Sequence, residues 1–216
     1  MLPSVAERPD RTVFLASRNT KKLAELQRIL TQHAPGVVVV GLDEVPAYDE
    51  PVEDQPDFEG NALVKARAGL AATGLPTLAD DSGLCVDALN GMPGVLSARW
   101  SGLPKSEARN NELLLAQIAD VPDERRTAHF TSAIAYCHPD GTTHLVLGQM
   151  PGRIVRAPRG SGGFGYDVVF VADDLSELDG REVTTAELDP PDKDRISHRG
   201  RALAEIAPLV AASLDA

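Results

Sequence analysis

Two β-rich segments joined by one short polar linker constrain the fold of this chain more than any other feature. Residues 127–136 and 142–150 are rich in the β-branched and aromatic side chains typical of strands. The linker His138-Pro139-Asp140-Gly141 ends in an Asp-Gly pair, a strong hairpin signal. The sequence therefore predicts an antiparallel hairpin, which a purely parallel sheet cannot contain.

Strand and helix patterns alternate before this hairpin, as in an α/β protein. Further predicted strands lie at residues 12–16, 37–40, 77–79, 153–156 and 168–171. Predicted helices lie at residues 21–30, 58–72, 105–119 and about 196–214. Pro208 is expected to kink the last helix. Alternation followed by a hairpin favours a mixed sheet with flanking helices.

Charge and length limit the classes of function. The 216 residues carry a formal net charge of -11, and an acidic surface repels nucleic-acid polymers. Basic residues nevertheless cluster at 18–22 and 193–201, which favours a small anionic ligand, although solvated helix faces would give the same clustering. Residues 1–11 are interpreted as a flexible extension to a single domain, 12–216, of two lobes.

The sequence indicates a cytoplasmic protein with no membrane partner. No apolar run approaches the roughly 18–20 residues that span a bilayer, and the first residues lack the apolar stretch of a signal peptide. Cys85 and Cys137 are the only cysteines, at a spacing that suits neither a disulfide framework nor a zinc site. We expect both to pack as small apolar side chains in a reducing compartment.

The turn between the first strand and the first helix has the composition of a phosphate site. Free N–H groups at a helix start bind phosphate, while Ser17 and Asn19 add hydrogen-bonding groups and Lys22 adds a charge. The missing glycines exclude a Walker A loop, and an ordinary helix cap is the alternative. The candidate contacts are Ser17, Arg18, Asn19, Thr20, Lys21 and Lys22.

Asp80 and Asp81 follow the strand at 77–79, and Gly83 is expected to turn the chain there. Adjacent carboxylates are costly unless they are solvated or compensated, and Mg²⁺ binds such carboxylates together with substrate phosphates. One Asp is also suited to accept a proton from an attacking water. A solvent-facing acidic turn is the alternative. Glu53, in an acidic loop at 43–57, is a weaker candidate among surface carboxylates.

Two later segments suit a nucleotide base. Residues 160–167 contain four glycines, and the aromatic rings of Phe164 and Tyr166 offer faces on which a base can stack, while Asp167 can accept from a purine N–H. A flexible loop with two core aromatics is the alternative. Residues 193–199 are basic, and His198 and Arg199 are donors suited to a six-position keto oxygen. A basic helix start on the surface is the alternative there.

These segments, in this order, resemble the inosine/xanthosine triphosphate pyrophosphatase family over residues 12–210 or thereabouts. The family's Phe-x-x-Asn-Ala-x-x-Lys-Ala pattern is matched at 58–66 and its Ala-Asp-Asp-Ser-Gly-Leu pattern at 79–84. The other matches are Ser/Thr-x-Asn-x-x-Lys at 17–22, Pro-Gly-x-x-Ser-Ala-Arg at 93–99, Gly-Gly-Phe-Gly-Tyr-Asp at 162–167 and Ser-His-Arg-Gly at 197–200. Arg18, Lys21 and Val168 depart from the residues common in the family.

The resemblance implies a long curved mixed sheet with flanking helices, forming two lobes around a central cleft, and a homodimer. It implies Mg²⁺-dependent hydrolysis of ITP, dITP or XTP to the monophosphate and pyrophosphate. Asp81 matches the catalytic carboxylate, Asp81 and Glu53 match the metal ligands, and Ser82 matches a substrate contact. The implied nucleotide contacts are Phe164, Gly165, Tyr166, Asp167, Lys193, His198 and Arg199.

Two rival functions remain at this point. One is a pyrophosphatase for modified pyrimidine nucleotides, built on a similar plan. The other is a non-catalytic nucleotide sensor, against which the pair Asp80 and Asp81 argues because binding alone requires no proton acceptor.

Overall fold

The computed structural model describes residues 11–175, 177–178 and 181–215, with the side chains of residues 21, 177, 178, 190 and 194 left out. The predicted N-terminal extension therefore lies outside the described residues, except for Arg11. The strands are β1 Thr12–Leu15, β2 Val38–Val40, β3 Thr77–Val86, β4 Thr127–Cys137, β5 Thr143–Ile154, β6 Phe170–Ala172, β7 Glu177–Leu178 and β8 Arg181–Glu182. The helices are α1 Thr20–His33, α2 Phe58–Thr73, α3 Glu107–Gln117, α4 Pro190–Ile196 and α5 His198–Leu214.

Six strands form one mixed sheet in the order β2-β1-β3-β4-β5-β6, and β7 pairs with β8 separately. Strand β1 runs parallel to both β2 and β3, with Phe14 opposite Val40 and Thr77. Strand β6 runs antiparallel to β5. The predicted mixed sheet with flanking helices is therefore confirmed.

The hairpin that joins β4 to β5 is also confirmed. The His138 N–H donates to the Thr142 carbonyl over 2.9 Å, and the Gly141 N–H donates to the His138 carbonyl over 3.0 Å. Gly141 has a φ of 95°, which an L side chain rarely adopts. The Asp-Gly pair thus closes the turn as its composition predicted.

Two strand predictions were wrong. The chain does not turn at Gly83, because β3 continues as an extended strand through Asp80, Asp81 and Ser82 to Val86. The separate strand predicted at 153–156 is the end of β5, which runs without a break through Pro151 and Gly152. A Cβ at Gly152 would lie 2.1 Å from the Val171 carbonyl oxygen. The glycine therefore marks the close approach of β6 and not the end of a strand.

The last predicted helix, about 196–214, is α5 His198–Leu214, and a separate short helix that was not predicted, α4, precedes it. Ser197 has an extended conformation, with φ -63° and ψ 146°, and separates α4 from α5. Its hydroxyl accepts a hydrogen bond of 2.9 Å from the Gly200 N–H, as a helix-capping serine does. His198 and Arg199 therefore lie in the first turn of α5, whereas Lys193 lies in α4. Helix α5 runs on through Pro208.

The described residues pack as two compact units, each with its own core. Unit 1 contains the described residues of Met1–Asp81, Ala133–Leu147 and Ala202–Ala216. Its core is built from β1, β2, α1 and the second part of α5, with Val13, Leu26, Leu30, Ile206 and Val210 fully or almost fully buried. The apolar stripe predicted on α1 thus faces this core.

Unit 2 contains Ser82–Ser132 and the described residues of Gly148–Arg201. Its core joins α3 to the remaining halves of the long strands through Leu84, Leu114, Ile118, Met150 and Phe170. Both cysteines are free, with Cys137 buried in unit 1 and Cys85 half-buried in unit 2. Among the described residues, no helix is long and apolar enough to cross a bilayer.

Candidate functional site

The predicted phosphate turn of unit 1 is held by its own polar side chains. The Ser17 hydroxyl accepts from the Asn19 N–H over 3.1 Å, and the Asn19 side-chain oxygen accepts from the Lys22 N–H over 3.3 Å. Thr20, which is exposed, begins α1. These bonds fix the first turn of the helix, where backbone N–H groups favour an anion.

Arg18 and Lys21 are the two basic residues of this turn that depart from the family pattern. Arg18 is exposed and donates to the Glu50 carboxylate from Nε over 3.0 Å. The Glu50 hydrogen bond and charge raise the pKa of Arg18. Arg18 therefore joins the turn to the acidic loop. The side chain of Lys21 lies outside the described residues.

Lys22 and Asp80 form a closely held ion pair beside this turn. The Lys22 Nζ lies 2.6 Å from the Asp80 carboxylate, and their side chains are only 18% and 4% exposed. A carboxylate this buried requires a compensating cation. Lys22 therefore lies at the turn, and its ion pair with Asp80 fixes the position of its ammonium group.

Asp81 meets a different lysine. The Lys65 Nζ lies 2.9 Å from Asp81 and 2.8 Å from Glu53, so one ammonium joins the two carboxylates that the sequence proposed as metal ligands. The Asn61 side-chain amide also donates to Asp81, over 3.3 Å. Successive side chains of a strand point to opposite faces, which is why the adjacent residues Asp80 and Asp81 have different partners.

Lys65 and Asn61, which contact Asp81, were not among the site residues predicted from the sequence. Both are on α2, four residues apart and hence on one helix face. The signal was present, because they are the Asn and the Lys of the Phe-x-x-Asn-Ala-x-x-Lys-Ala pattern. Their separation from Asp81 along the chain hides the contact until the helix is packed against the strand.

The pKa values of both Asp81 and Lys65 are raised, so each group binds its proton more tightly than usual. Burial raises the pKa of Asp81, helped by the charges of Glu53 and Asp80, and Lys65 opposes this only in part. Burial alone would lower the pKa of Lys65, but the charges and hydrogen bonds of Asp81 and Glu53 outweigh it and raise this pKa. Burial is thus the main cause for Asp81, whereas the surrounding negative charge explains the raised pKa of Lys65.

These residues fit a hard divalent cation in their chemistry. Among the described residues, no three Asp, Glu, His or Cys side chains converge as a formed metal site. Asp81 and Glu53 nevertheless both lie within hydrogen-bond distance of one ammonium, and carboxylate oxygens are the ligands that Mg²⁺ binds. The buried negative charge is the kind of environment that a divalent cation would neutralise.

In unit 2, Asp167 organises the glycine-rich loop. It is buried, its carboxylate accepts from the Phe164 N–H and from the Thr185 hydroxyl, each over 2.8 Å, and it is ion-paired with Lys193. A Cβ at Gly163 would lie 2.1 Å from this carboxylate. The loop therefore requires a glycine at 163 and folds around Asp167. Whether Asp167 also accepts from a base stays a prediction.

The two aromatic residues of the loop have different environments. The Phe164 ring is 39% exposed and lies 5.3 Å from the Lys193 Nζ and 6.0 Å from the Arg199 Cζ. Tyr166 is 4% exposed, and its hydroxyl donates to the Ser97 carbonyl over 2.9 Å. Burial raises the pKa of this phenol. Phe164 therefore presents a ring on which a flat base can stack, whereas Tyr166 belongs to the core.

Gly165 lies between them with a φ of 64°. Its carbonyl accepts from the Asn111 side-chain amide of α3 over 2.8 Å. This contact spans 54 residues of sequence, and the sequence analysis gave no role to Asn111. The loop is thus anchored to α3 directly beside the exposed ring.

The start of α5 brings three more predicted residues together in unit 2. Arg199 donates to the Ser82 hydroxyl over 3.0 Å. The His198 ring stacks on Phe130, with centroids 5.0 Å apart and planes 11° apart. Both basic side chains are buried, which is unusual for a surface helix start. Ser82, Phe164, Lys193 and Arg199 are therefore linked by described contacts.

Comparison with known proteins gives a consistent result over nearly the whole chain. The sequence model of the Ham1 family matches residues 13–209. A dITP/XTP pyrophosphatase of Nocardia farcinica is 60% identical over 204 residues, which cover 94% of this chain and 96% of the relative.

Two solved structures are also similar. A crystal structure of a nucleoside-triphosphatase, dITP/XTP pyrophosphatase, from Mycobacterium abscessus is 54% identical, with a TM-score of 0.75, and the match covers 91% of this chain and 99% of that one. The structure of the Staphylococcus aureus Ham1 protein is 34% identical, with a TM-score of 0.82, and the match covers 94% and 99% of the two chains.

Proposed function

The chain belongs to the Ham1 family, and from this premise we propose that it is a nucleoside triphosphate pyrophosphatase for non-standard purine nucleotides. It hydrolyses ITP, dITP and XTP to the monophosphate and pyrophosphate, and so removes them from the nucleotide pool. The observation that carries this function is the partly buried carboxylate of Asp81, held 2.9 Å from Lys65 and bonded to Asn61.

Unit 1 has the chemistry for the triphosphate. Lys22 and the N–H groups at the start of α1 bind phosphate oxygens and stabilise the charge that develops on them. Asp81 accepts a proton from the water that attacks the α-phosphorus, and its raised pKa makes it a stronger base than an ordinary Asp. Lys65 positions the Asp81 carboxylate and adds a second cation for the phosphates.

Asp81 and Glu53 are the residues that would hold Mg²⁺. When bound, the cation supplies charge neutralisation of the triphosphate. The support for this assignment is the convergence of both carboxylates on one ammonium.

Unit 2 has the chemistry for the base. Phe164 stacks on the purine, and Lys193 and Arg199 lie beside its ring. His198 and Arg199 donate toward the six-position keto oxygen. An amino group there would face another donor and leave buried groups unpaired, so adenine nucleotides are disfavoured.

Three broader assignments belong to this proposal. Residues 12–216 act as one catalytic domain, which is supported by the continuous family match and by β3, β4 and β5, each of which contributes residues to both units. The enzyme works in the cytoplasm, where its nucleotide substrates are made. It acts as a homodimer, an assignment supported by the family resemblance alone.

Pyrophosphate release from ITP with and without Mg²⁺ is the experiment that tests this function. We expect Mg²⁺-dependent release that is orders of magnitude faster, in kcat/KM, than release from ATP, and near-complete loss of turnover in Asp81→Asn. Equal kcat/KM for ITP and ATP would refute the base assignment. Binding of ITP with no release in either condition would support the sensor, and preference for modified pyrimidine nucleotides in a substrate panel would support the rival hydrolase.

A further inference from the structure

A cavity of about 340 Å³ lies in unit 2 and involves none of the residues assigned above to substrate or metal. It is lined by the C-terminal end of β5, by residues 155–157 and 159 that follow, and by Glu182 of β8. Its wall carries three arginines at a regular spacing of three residues, Arg153, Arg156 and Arg159, together with Asp123 and Glu182. The apolar part of the wall is contributed by Ile154, Val155 and Ala157.

The charges of this cavity do not cancel. Three guanidinium groups and two carboxylates leave a net charge of 3 - 2 = +1 on the lining residues. Directly behind them, Arg126 is buried and donates to the Ile154 and Val155 carbonyls over 2.9 and 3.1 Å. Burial and the nearby charge of Arg156 lower the pKa of Arg126. An excess of positive charge is therefore concentrated here on a chain whose formal charge is -11.

The carboxylates hold the arginines in fixed positions. Glu182 accepts from Arg153 with one oxygen and from Arg159 with the other, the latter over 2.8 Å. Arg156 binds Asp123 over 2.8 Å and also donates to the Ala119 and Val121 carbonyls near the end of α3. Arginines that are held in place lose little further freedom when they bind a ligand, which favours binding.

One donor in this group has no acceptor among the described residues. The Arg159 Nε is buried and makes no hydrogen bond, and its nearest carboxylate, that of Glu187, lies 3.7 Å away. A buried N–H without an acceptor is costly. An anion that enters the cavity would supply the missing acceptor.

We propose that this cavity is a second anion site, which binds a small phosphate-type anion such as orthophosphate or pyrophosphate. Guanidinium groups match tetrahedral oxyanions. Here Arg153 and Arg159 would donate to the anion, while Arg156, which donates to Asp123 and to two backbone carbonyls, contributes its charge. The limited volume of the cavity suits a small anion better than a phosphate within a nucleic-acid polymer.

The competing explanation is that the arginines only clamp β8 to the end of β5. The two explanations differ in the sign of one substitution. If the site binds an anion, Glu182 competes with that anion for two arginines, so Glu182→Gln should tighten binding. If the arginines serve only as a clamp, the same substitution has no effect on phosphate binding.

The test is isothermal titration calorimetry with orthophosphate and, separately, pyrophosphate, at fixed ionic strength and without divalent metal. All proteins share an otherwise unchanged background, so any binding at the phosphate turn of unit 1 contributes equally to each. Arg159→Gln is compared with Arg181→Gln, a matched control that removes the same charge and also faces Glu187 but does not line the cavity. Arg153→Gln is the second cavity variant, used if Arg159→Gln does not fold.

We expect Arg159→Gln and Arg153→Gln to weaken binding by about tenfold or more, the usual effect of losing a charge-assisted hydrogen bond. Arg181→Gln should stay within about twofold of the parent, and Glu182→Gln should tighten binding several-fold. Whichever of orthophosphate and pyrophosphate binds with the higher affinity is the anion that the cavity prefers. Equal affinities for the cavity variants and Arg181→Gln, or no gain in Glu182→Gln, would overturn the proposal. No turnover is measured, so this result is independent of the proposed hydrolysis.

Discussion

Replacement of Phe164 by alanine tests which ring of the glycine-rich loop binds the base. The exposed ring contacts two cations at 5.3 and 6.0 Å. Each such contact contributes about 0.5–1 kcal/mol at an exposed site, so Phe164→Ala should lower the free energy of unfolding by only about 1–2 kcal/mol. Base stacking contributes about 1–3 kcal/mol, which corresponds to a rise in KM for dITP of about fivefold to 150-fold.

Tyr166→Phe is the matched variant, because it keeps a ring at the buried position. The Ser97 carbonyl would lose the tyrosine hydroxyl but keep the Asn110 side-chain amide, which donates to it over 3.2 Å. The expected destabilisation is therefore near the lower end of the range for a buried hydrogen bond, about 1 kcal/mol. This corresponds to about 2–4 °C in Tm for a chain of this length.

Initial rates of pyrophosphate release from dITP, measured with excess Mg²⁺, give KM and kcat for each variant, and differential scanning calorimetry gives Tm. The expected pattern is a high KM for Phe164→Ala and a KM near the wild-type value for Tyr166→Phe, with a modestly lowered Tm in both variants. The reasoning fails if Phe164→Ala keeps the wild-type KM.

Three further predictions concern single contacts. Lys65→Met should lower kcat/KM by about tenfold to 150-fold, since hydrogen bonds to charged groups contribute about 1.5–3 kcal/mol. Steady-state rates measure this effect. Lys65→Arg should restore part of the activity because it keeps the charge. Asn111→Leu should raise KM for dITP more than it lowers kcat, because the loop loses its anchor to α3 while Asp81 is untouched; equal effects on both constants would count against the anchoring role. Burial raises the pKa of Tyr136 to about 12, above the ordinary value of 10.0, so its contribution to stability is complete below pH 10.0 and is lost as the pH rises toward 12; urea unfolding across this range should show a steeper loss for the wild type than for Tyr136→Phe.

The sequence was sufficient for the elements that are specified locally. Helix α1 was predicted at 21–30 and extends over Thr20–His33, and α2 was predicted at 58–72 and extends over Phe58–Thr73. Both carry apolar residues at helical spacing, and α2 is capped by Asp57, whose carboxylate accepts from the Gly60 N–H over 2.7 Å. The hairpin was equally accessible, because its Asp-Gly turn is a local signal.

The errors came from contacts that are distant in sequence. Two adjacent aspartates looked like the end of a strand, because charge disfavours burial. Strand β3 continues through them because Lys22 and Lys65, from two different helices, compensate the two carboxylates. Likewise, Gly152 looked like a strand break, but it is required by the approach of β6. Such compensation cannot be recognised until the partners are placed.

The way β3 divides its two aspartates between two lysines has a consequence for variation in chain length. Adding one residue to the strand ahead of Asp80 would move every later side chain to the opposite face. Asp80 would then take the position beside Lys65, and Lys22 would lose its carboxylate. A surface loop tolerates insertions and deletions, but β3 does not. Relatives that keep the activity should therefore differ in this strand by substitution only.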